Sequence, residues 1–172
     1  MSQLLKDKST LILGLANRWS IAYAIAQAFR REGAQLTLTY QGERQKDTVE
    51  ELARELGASR VLCCDVTQEA DIQTLSEMLR AEGDKLDAVV HSIAFANKED
   101  LARPFYETSR DGFLLAQEVS CYSLVAVARA VVPVMTGGGS IMTLSYLGSQ
   151  RVMTNYNLMG VAKAALEASM RY

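Results

Sequence analysis

The stretch Ser9-Thr-Leu-Ile-Leu13-Gly14-Leu-Ala-Asn-Arg-Trp-Ser20-Ile21-Ala22 decides the fold of this 172-residue chain. Its first five residues form a short apolar run that ends at a glycine, which predicts a buried β-strand. Ser20 then opens a helical pattern in which Ile25 and Phe29 continue at four-residue spacing. Gly33 marks the end of that helix. A strand, a tight turn and a helix in this order predict the first unit of an α/β fold.

The same alternation continues along the rest of the chain. Further strands are predicted at Gln35–Tyr40, Arg60–Cys63, Asp87–His91 and Ser140–Leu144. Further helices are predicted from Thr48, over Ile72–Leu79 with an end near Gly83, over Asp111–Val132 and from Tyr156 onward. Strands separated by helices imply right-handed βαβ units and a parallel sheet. We therefore predict an α/β fold, a doubly wound, Rossmann-like parallel sheet, in one dinucleotide-binding domain over residues 1–172.

Composition excludes several classes of protein. The chain is 49% hydrophobic and 22% charged with a net charge of −2, so nucleic-acid binding has no electrostatic support. The N-terminus lacks the apolar core of a signal peptide, and the apolar stretch over Ser123–Met135 is interrupted by Arg129 and too short to span a bilayer. The cysteines lack the spacing of a zinc site, so we predict no metal and buried free thiols in a reducing cytoplasm. They are Cys63, Cys64 and Cys121.

The first strand-to-helix turn is a candidate phosphate site. A pyrophosphate would meet free backbone N–H groups there, at the positive end of a helix. Only Gly14 remains of the usual glycine triplet, while Ser20 suits an N-cap and has a hydroxyl to donate to a phosphate. The alternative is an ordinary connection between strand and helix that binds no ligand, and these residues would suit it equally well.

Two more polar positions follow predicted strands. Gln41 follows the second strand, where an acid favours NAD and a basic residue favours NADP. Glutamine hydrogen-bonds hydroxyls without repelling a phosphate, and Arg44 is near, so the cofactor is ambiguous with a lean to NADH; a polar loop is the alternative. Asp65, with Val66 beside it, follows the third strand and would either hold an adenine or cap the next helix.

The segment His91-Ser-Ile-Ala-Phe-Ala96 follows the fourth strand, and its small residues leave room for a flat ligand. His91 is the only histidine, and we predict a structural role for it in preference to that of a catalytic base.

Two tyrosines and a lysine lie near the C-terminal end. Tyr156 and Lys163 are seven residues apart, which places them two helical turns apart on nearly the same face. A free phenol has a pKa of about 10, and a nearby ammonium lowers it. We therefore predict an acid–base pair whose phenol has a depressed pKa. Tyr146, at the end of the fifth strand, is either a core residue or a donor to a substrate carbonyl.

Taken together, these segments resemble the short-chain dehydrogenase/reductase superfamily, and within it the bacterial NADH-dependent enoyl-acyl-carrier-protein reductases. The motifs that carry the resemblance are Gly14-x5-Ser20-Ile-Ala, His91-Ser-Ile-Ala-Phe-Ala96, Leu144-Ser-Tyr146-Leu-Gly148 and Tyr156-x-x-Met159-x-x-x-Lys163. The resemblance covers essentially the whole chain. It implies reduction of the trans-2,3 double bond of an enoyl thioester, the last step of each cycle of fatty-acid elongation.

The resemblance also implies roles for individual residues. Cofactor contacts would come from Gly14, Ser20 and Ile21 at the pyrophosphate, Gln41 at the adenosine ribose, Asp65 and Val66 at the adenine, Ile93 at the nicotinamide and Lys163 at its ribose. Tyr156 would hydrogen-bond the thioester carbonyl, with Tyr146 as a neighbouring active-site tyrosine and Ala96 in contact with the substrate.

Further implications concern cofactor, partners and length. The resemblance implies NADH, with NADPH still open, an acyl-carrier-protein substrate, and a homotetramer paired through the Asp111–Val132 helix and the Tyr156 helix. Complete members of the family are longer, so we expect a C-terminal truncation that lacks the substrate loop and the final strands. Two alternatives stay open: a carbonyl or alcohol oxidoreductase of the same superfamily, and a non-catalytic nucleotide-binding fragment. Thr143 stands where carbonyl reductases place a serine, which favours the enoyl substrate.

Overall fold

A five-stranded parallel sheet forms the centre of the fold. The computed structural model describes residues 3–81, 83 and 85–172. Its strands are β1 (Ser9–Leu13), β2 (Gln35–Tyr40), β3 (Arg60–Cys63), β4 (Ala88–His91) and β5 (Ser140–Thr143), in the order β3-β2-β1-β4-β5. All four pairings are parallel. The doubly wound α/β prediction is confirmed; β1, β2 and β3 have the predicted bounds, and β4 and β5 are each one residue shorter.

Seven α-helices accompany the strands in the described part of the chain. They are α1 (Ile21–Arg31), α2 (Glu43–Leu56), α3 (Glu69–Ala81), α4 (Lys98–Ala102), α5 (Arg110–Gln117), α6 (Ser123–Val131) and α7 (Asn157–Arg171). The predicted start of the second helix at Thr48 is wrong, because α2 begins five residues earlier, behind an extended Gly42. Its first turn is polar on every side, so the apolar spacing that begins at Val49 does not show it.

The predicted long helix over Asp111–Val132 is present but not uniform. Between α5 and α6 the chain forms a π-helical segment, Glu118–Tyr122, and a 3₁₀ turn, Val132–Val134, follows α6. The helical run Arg110–Val134 has 25 residues and is, by length and composition alone, apolar enough to cross a bilayer. That corrects the expectation of too short a segment. Half of its most apolar window is buried within the protein, as in the core helix of a soluble domain.

The described residues form two compact units. The first, here called the sheet unit, is drawn from Met1–Ser92 and Ala128–Thr143 and contains all five strands. The second, the helical unit, is drawn from Ile93–Val127 and Leu144–Tyr172 and contains α4, α5 and α7. The single domain expected over residues 1–172 stays a prediction.

The core of the sheet unit covers both faces of β1. Ile12 packs in a cluster with buried residues of β2, α1 and α2, including Leu38 and Leu52. Successive strand residues point to opposite faces, yet the neighbours Leu11 and Leu13 are also fully buried. Burial on both faces is the reason why this strand has a continuous apolar run without alternation.

The sheet reverses its winding beside β1. The strand sequence runs outward through β2 and β3 on one side and through β4 and β5 on the other. Leu13, at the end of β1, is paired with His91, at the end of β4. In open α/β sheets ligands bind outside the carboxyl ends of the strands at such a reversal. The fold thus places a candidate ligand site at this edge.

Shortening Leu38 tests the core of the sheet unit. Leu38 is fully buried between β1, α1 and α2, so we expect Leu38→Ala to lower the free energy of unfolding by about 2–5 kcal/mol, from lost burial and a cavity. Urea unfolding followed by circular dichroism measures the change. Met78→Ala on α3, where the side chain is exposed, is the matched control and should change stability by less than about 0.5 kcal/mol. Equal losses for the two variants would contradict this core.

Candidate active site

Three predicted cofactor residues lie at one edge of the sheet. Gly14, Gln41 and Asp65 come at or just beyond the ends of β1, β2 and β3. Parallel pairing brings the ends of these strands together, with Tyr40 opposite Cys63. The three positions therefore lie at the same edge of the sheet, while their roles as ligand contacts remain predictions.

The turn after β1 has a backbone that glycine favours. Gly14 has a φ of +92°, in the region that L side chains rarely adopt. Ser20 is the N-cap residue of α1, as predicted, but its side chain makes no cap hydrogen bond. Its hydroxyl donates instead to the carbonyl of Asn17 at 2.6 Å, which tightens the turn. Ile21, the first residue of α1, is 62% exposed, so the helix N-terminus faces solvent.

An ion pair that the sequence did not reveal holds the same turn. The Arg18 guanidinium donates to both carboxylate oxygens of Glu55 on α2, one of them at 2.7 Å. A hydrogen bond to Arg18 is the main reason why the pKa of Glu55 is lowered. No sequence pattern predicts this pair, because its members are 37 residues apart and belong to different periodic patterns.

Gln41 and Asp65 are bonded to each other. The Gln41 amide donates to Asp65 Oδ2 at 3.1 Å, and Thr67 donates its N–H and its hydroxyl to Oδ1 at 2.9 and 2.8 Å. Partial burial acts to raise the pKa of Asp65, but these hydrogen bonds outweigh it and lower the pKa. The carboxylate is thus ionised at neutral pH. Asp65 closes a local turn onto Thr67 ahead of α3, and the adjacent Val66 is buried.

His91 has structural partners in the sheet unit. The ring is fully buried, with Nδ1 3.1 Å from the hydroxyl of Thr143 on β5. That hydroxyl also lies 3.3 Å from the His91 carbonyl, to which it donates. A buried ring tied to the neighbouring strand suits the structural role predicted for His91.

The three cysteines are free, but only one of them is fully buried. Burial raises the pKa of the Cys64 thiol to about 12, so it stays protonated. Cys121 is half-buried, and Cys63 is exposed at the end of β3. The expectation that all three are buried is therefore met by Cys64 alone: Cys121 is only partly covered, and Cys63, the last residue of the short edge strand, is exposed.

The helical unit brings the two predicted tyrosines together. The rings of Tyr146 and Tyr156 lie edge to face, with centroids 4.8 Å apart. Gly148 passes directly beneath Tyr156, since a β-carbon added there would lie only 2.3 Å from the ring. Tyr156 immediately precedes α7, and Asn155 before it has a φ of +59°. Backbone geometry and ring packing together fix the position of the Tyr156 phenol.

Lys163 is buried and bonded to the backbone. It is 5% exposed, and Nζ donates to the carbonyl of Leu144 at 2.8 Å. Burial lowers the pKa of the Lys163 ammonium. Burial, and after it the nearby Tyr146, raises the pKa of the Tyr156 phenol. The predicted depression of that pKa by Lys163 is therefore wrong in sign, because burial and the neighbouring Tyr146 set the direction of the shift.

The segment that follows β4 is held by a buried serine. Ser120 lies in the π-helical segment, and its hydroxyl donates to the Phe95 carbonyl at 3.1 Å and accepts from the Phe95 N–H at 3.0 Å. This fixes the backbone between Ile93 and Ala96, two predicted contact residues that are half-buried. Ala96 and Tyr156 both pack against a small apolar cluster that contains Met159.

Asn157 makes a contact between helices that the sequence did not predict. Its amide lies within hydrogen-bond distance of the carbonyls of Leu101 and Arg103, at 2.9 and 2.7 Å, and 3.5 Å from that of Asp100. It thereby ties the start of α7 to the end of α4. Its φ of +34° is a conformation that asparagine tolerates better than most residues, so the residue type was an available signal.

A cavity of about 570 Å³ opens in the helical unit. Tyr156 and Asn157 line it, together with the loop from Gly148 to Met153. Tyr146 and Lys163 are not among the residues that line it, so the cavity shares only Tyr156 with the three predicted catalytic residues. Size alone does not make it the reaction site.

The donor groups in the sheet unit fit part of a dinucleotide. A free helix N-terminus after a glycine turn suits a pyrophosphate, and an ionised carboxylate bonded to a carboxamide suits the hydroxyl and amino groups of an adenosine. The residues that would hold it are Gly14, Ser20, Ile21, Gln41, Asp65 and Val66.

Comparison with known proteins settles the family. A family model described as enoyl-(acyl carrier protein) reductase matches residues 14–172. The chain belongs to this family. Enoyl-acyl-carrier-protein reductase (NADH) FabI of Bacillus cereus is 51% identical over 172 residues, which cover 99% of this chain and 67% of that protein. The chain thus spans about two thirds of the length of the curated relatives it matches.

Solved structures of the family share this backbone. The reductase of Anaplasma phagocytophilum in complex with NAD is 42% identical, with a TM-score of 0.97, over 100% of this chain and 66% of its own. The Bacillus cereus enzyme with NADP+ and indole naphthyridinone is 50% identical, also with a TM-score of 0.97, over 100% of this chain and 67% of its own. The Rossmann-like arrangement of the strands is therefore that of the family.

Titration of Tyr156 tests the electrostatics of this enoyl-acyl-carrier-protein reductase family member. We expect the Tyr156 phenol to titrate above the pKa of about 10 of free tyrosine, because it loses solvent beside Tyr146. Carbon-13 NMR of tyrosine labelled at Cζ measures it, with Tyr156→Phe assigning the signal. Tyr146→Phe should bring the midpoint down. A Tyr156 midpoint below that of free tyrosine would show that Lys163 dominates instead.

Proposed function

We propose that the protein reduces the trans-2,3 double bond of enoyl thioesters carried on acyl carrier protein, using NADH. The observation that carries the proposal is the Tyr146–Tyr156 ring pair, together with a buried Lys163 bonded to the carbonyl of Leu144, in a chain of the enoyl-(acyl carrier protein) reductase family. The Bacillus cereus relative is NADH-dependent by name, and the reductase of Anaplasma phagocytophilum is solved with NAD.

Tyr156 acts as the hydrogen-bond donor to the thioester oxygen. NADH, when bound, supplies a hydride to the β-carbon of the substrate. Negative charge then develops on the thioester oxygen as an enolate, and a fixed donor aimed at that oxygen stabilises it. A proton taken up from water at the α-carbon completes the reduction. The raised pKa of the Tyr156 phenol keeps its proton in place at neutral pH, so the residue enters the reaction as a donor. Tyr146 packs against the ring and fixes its orientation.

Lys163 holds the nicotinamide ribose in this scheme. An ammonium has three N–H donors, and the carbonyl of Leu144 accepts a hydrogen bond from one of them. The remaining two suit the hydroxyls of a ribose. Because the Leu144 bond anchors the side chain, Lys163 presents its charge in a fixed place and loses little freedom on binding. Ile93 is proposed to line the nicotinamide, and Ala96 to contact the acyl chain.

The adenosine end of NADH is assigned to the sheet unit. Gln41 would hydrogen-bond the adenosine ribose, and Asp65 would hydrogen-bond the adenine. Val66 would pack against the adenine ring. The ionised Asp65 carboxylate lies one hydrogen bond from the Gln41 amide, which disfavours the extra phosphate of NADPH. A relative solved with NADP+ shows that the family fold admits that cofactor, so the proposal concerns preference.

Thr143 favours this reaction over reduction of a carbonyl. Carbonyl reductases of the superfamily place a serine at this position as a donor. Here the Thr143 hydroxyl is bonded to the carbonyl of His91 and lies beside its ring. A hydroxyl with two partners inside the sheet is a poor candidate for donating to a substrate.

Replacing Tyr156 tests the proposed role. We expect Tyr156→Phe to lower kcat with crotonyl thioester by roughly a hundredfold or more, since it removes one donor to the developing oxyanion. The loss of NADH absorbance at saturating substrate measures it, and NADH fluorescence should show unchanged cofactor binding. Tyr106→Phe, at an 84% exposed tyrosine, is the control. Full turnover in Tyr156→Phe would remove the residue from its role, and an inactive parent protein would overturn the function.

We also propose that the protein is a cytoplasmic homotetramer. Three free cysteines suit a reducing compartment. Leu114, Tyr122 and Val125 form an exposed apolar stripe along α5, the π-helical segment and α6, at intervals that keep one helical face. Exposed apolar stripes of this kind mark association surfaces.

A charge placed in that stripe tests the assembly. Val125→Glu should shift the mass measured by light scattering from tetramer to a smaller species, because burial of an unpaired carboxylate opposes association. Leu4→Glu places the same charge at an exposed apolar residue elsewhere and should leave the mass unchanged. A monomeric parent, or a tetrameric Val125→Glu, would refute this surface.

A further inference from the structure

One carboxylate on α7 closes the loop that carries Tyr146. The hydroxyls of Ser145 and Ser149 both donate to the same oxygen of Glu167, each at 2.5 Å. These serines lie on either side of Tyr146 in the sequence, and Leu147–Ser149 forms a 3₁₀ turn between them. A single acceptor thus draws both ends of a five-residue loop onto one point of the helix.

Both bonds have a charged carboxylate as their acceptor. Hydroxyl donors to an ionised carboxylate approach to roughly 2.5–2.7 Å and are about twice as strong as neutral pairs. The bonds from Ser145 and then Ser149 lower the pKa of Glu167, so the acceptor is charged at neutral pH. Arg171, one turn further along α7, contributes in the same direction.

Glu167 lies one helical turn after Lys163. Residues four apart share a helix face, so the two side chains are neighbours on α7. Lys163 donates to the carbonyl of Leu144, and Glu167 accepts from the hydroxyl of the next residue, Ser145. The loop therefore meets α7 through two adjacent side chains of opposite charge. Gly148, in the same loop, lies so close to the Tyr156 ring that a β-carbon there would be 2.3 Å from it.

We propose that Glu167 is a positioning residue for Tyr146, and through it for the donor Tyr156. This inference rests on the proposed enoyl-thioester reduction for its kinetic consequence only. Glu167 holds the loop, the loop sets the Tyr146 ring, and that ring packs on Tyr156 at 4.8 Å. Loss of the acceptor releases the loop and lets the phenol leave its productive place.

Variants at Glu167 and its two donors test the proposal in the protein that carries this chain. Glu167→Ala removes the acceptor, and we expect kcat to fall roughly tenfold or more with the KM for NADH unchanged, since small misplacements of catalytic groups are costly. Glu167→Gln keeps a carbonyl oxygen in the same place and should recover most of that loss. The double variant Ser145→Ala with Ser149→Ala removes both donors without touching α7 and should match Glu167→Ala.

A spectroscopic measurement separates this proposal from the proposed function. Tyrosines labelled at Cζ report the Tyr146 and Tyr156 signals, which should shift in Glu167→Ala and in the double serine variant. Glu107→Ala, at an exposed glutamate of the helical unit, is the control and should leave both signals and turnover unchanged. If the parent shows no turnover, the reductase proposal fails and the tyrosine signals alone decide the role of Glu167. Unchanged signals in Glu167→Ala, or an effect absent from the double serine variant, would overturn it.

Discussion

Parallel pairing of β1 with both β2 and β4 is the constraint on which the ligand edge depends. The strand is buried on both faces, so its register with its neighbours is strongly fixed. A slip of one residue would turn Leu11 and Leu13 onto the face that Ile12 now occupies. The same register sets where β1, β2 and β3 end. Gly14, Gln41 and Asp65 therefore come to one edge as a result of core packing, before any ligand is considered.

Loss of solvent, more than charge, sets the chemistry of the helical unit. The Lys163 ammonium and the Tyr156 phenol are both shifted toward their neutral forms, mainly by burial. A phenol kept neutral is a good donor and a poor base. An ammonium anchored on the Leu144 carbonyl is a fixed contact for a ligand. The pair thus suits stabilisation of a developing oxyanion more than proton abstraction.

Sequence predicted the parts of this protein that periodicity and short motifs encode. β1, β2 and β3 were predictable because short apolar runs between turn residues are typical of buried strands. The start of α2 was not, since its first turn carries no apolar residue. The resemblance to the family predicted that Tyr146 and Tyr156 lie close together. The direction of the pKa shift at Tyr156 could not be predicted, because helical spacing gives no information on how deeply a side chain is buried. Long-range partners such as Arg18 with Glu55 leave no local trace.

The close passage of Gly148 beneath Tyr156 ties together the variation allowed at two positions. Any side chain at 148 would occupy space that the Tyr156 ring now fills, and a side chain at 160 would meet the Gly148 carbonyl at 2.7 Å. Position 148 is therefore limited to glycine while the tyrosine stays, whereas position 160 is limited by the backbone of Gly148 whatever residue stands at 156. In natural variants a non-glycine residue at 148 should be accompanied by a smaller residue at 156.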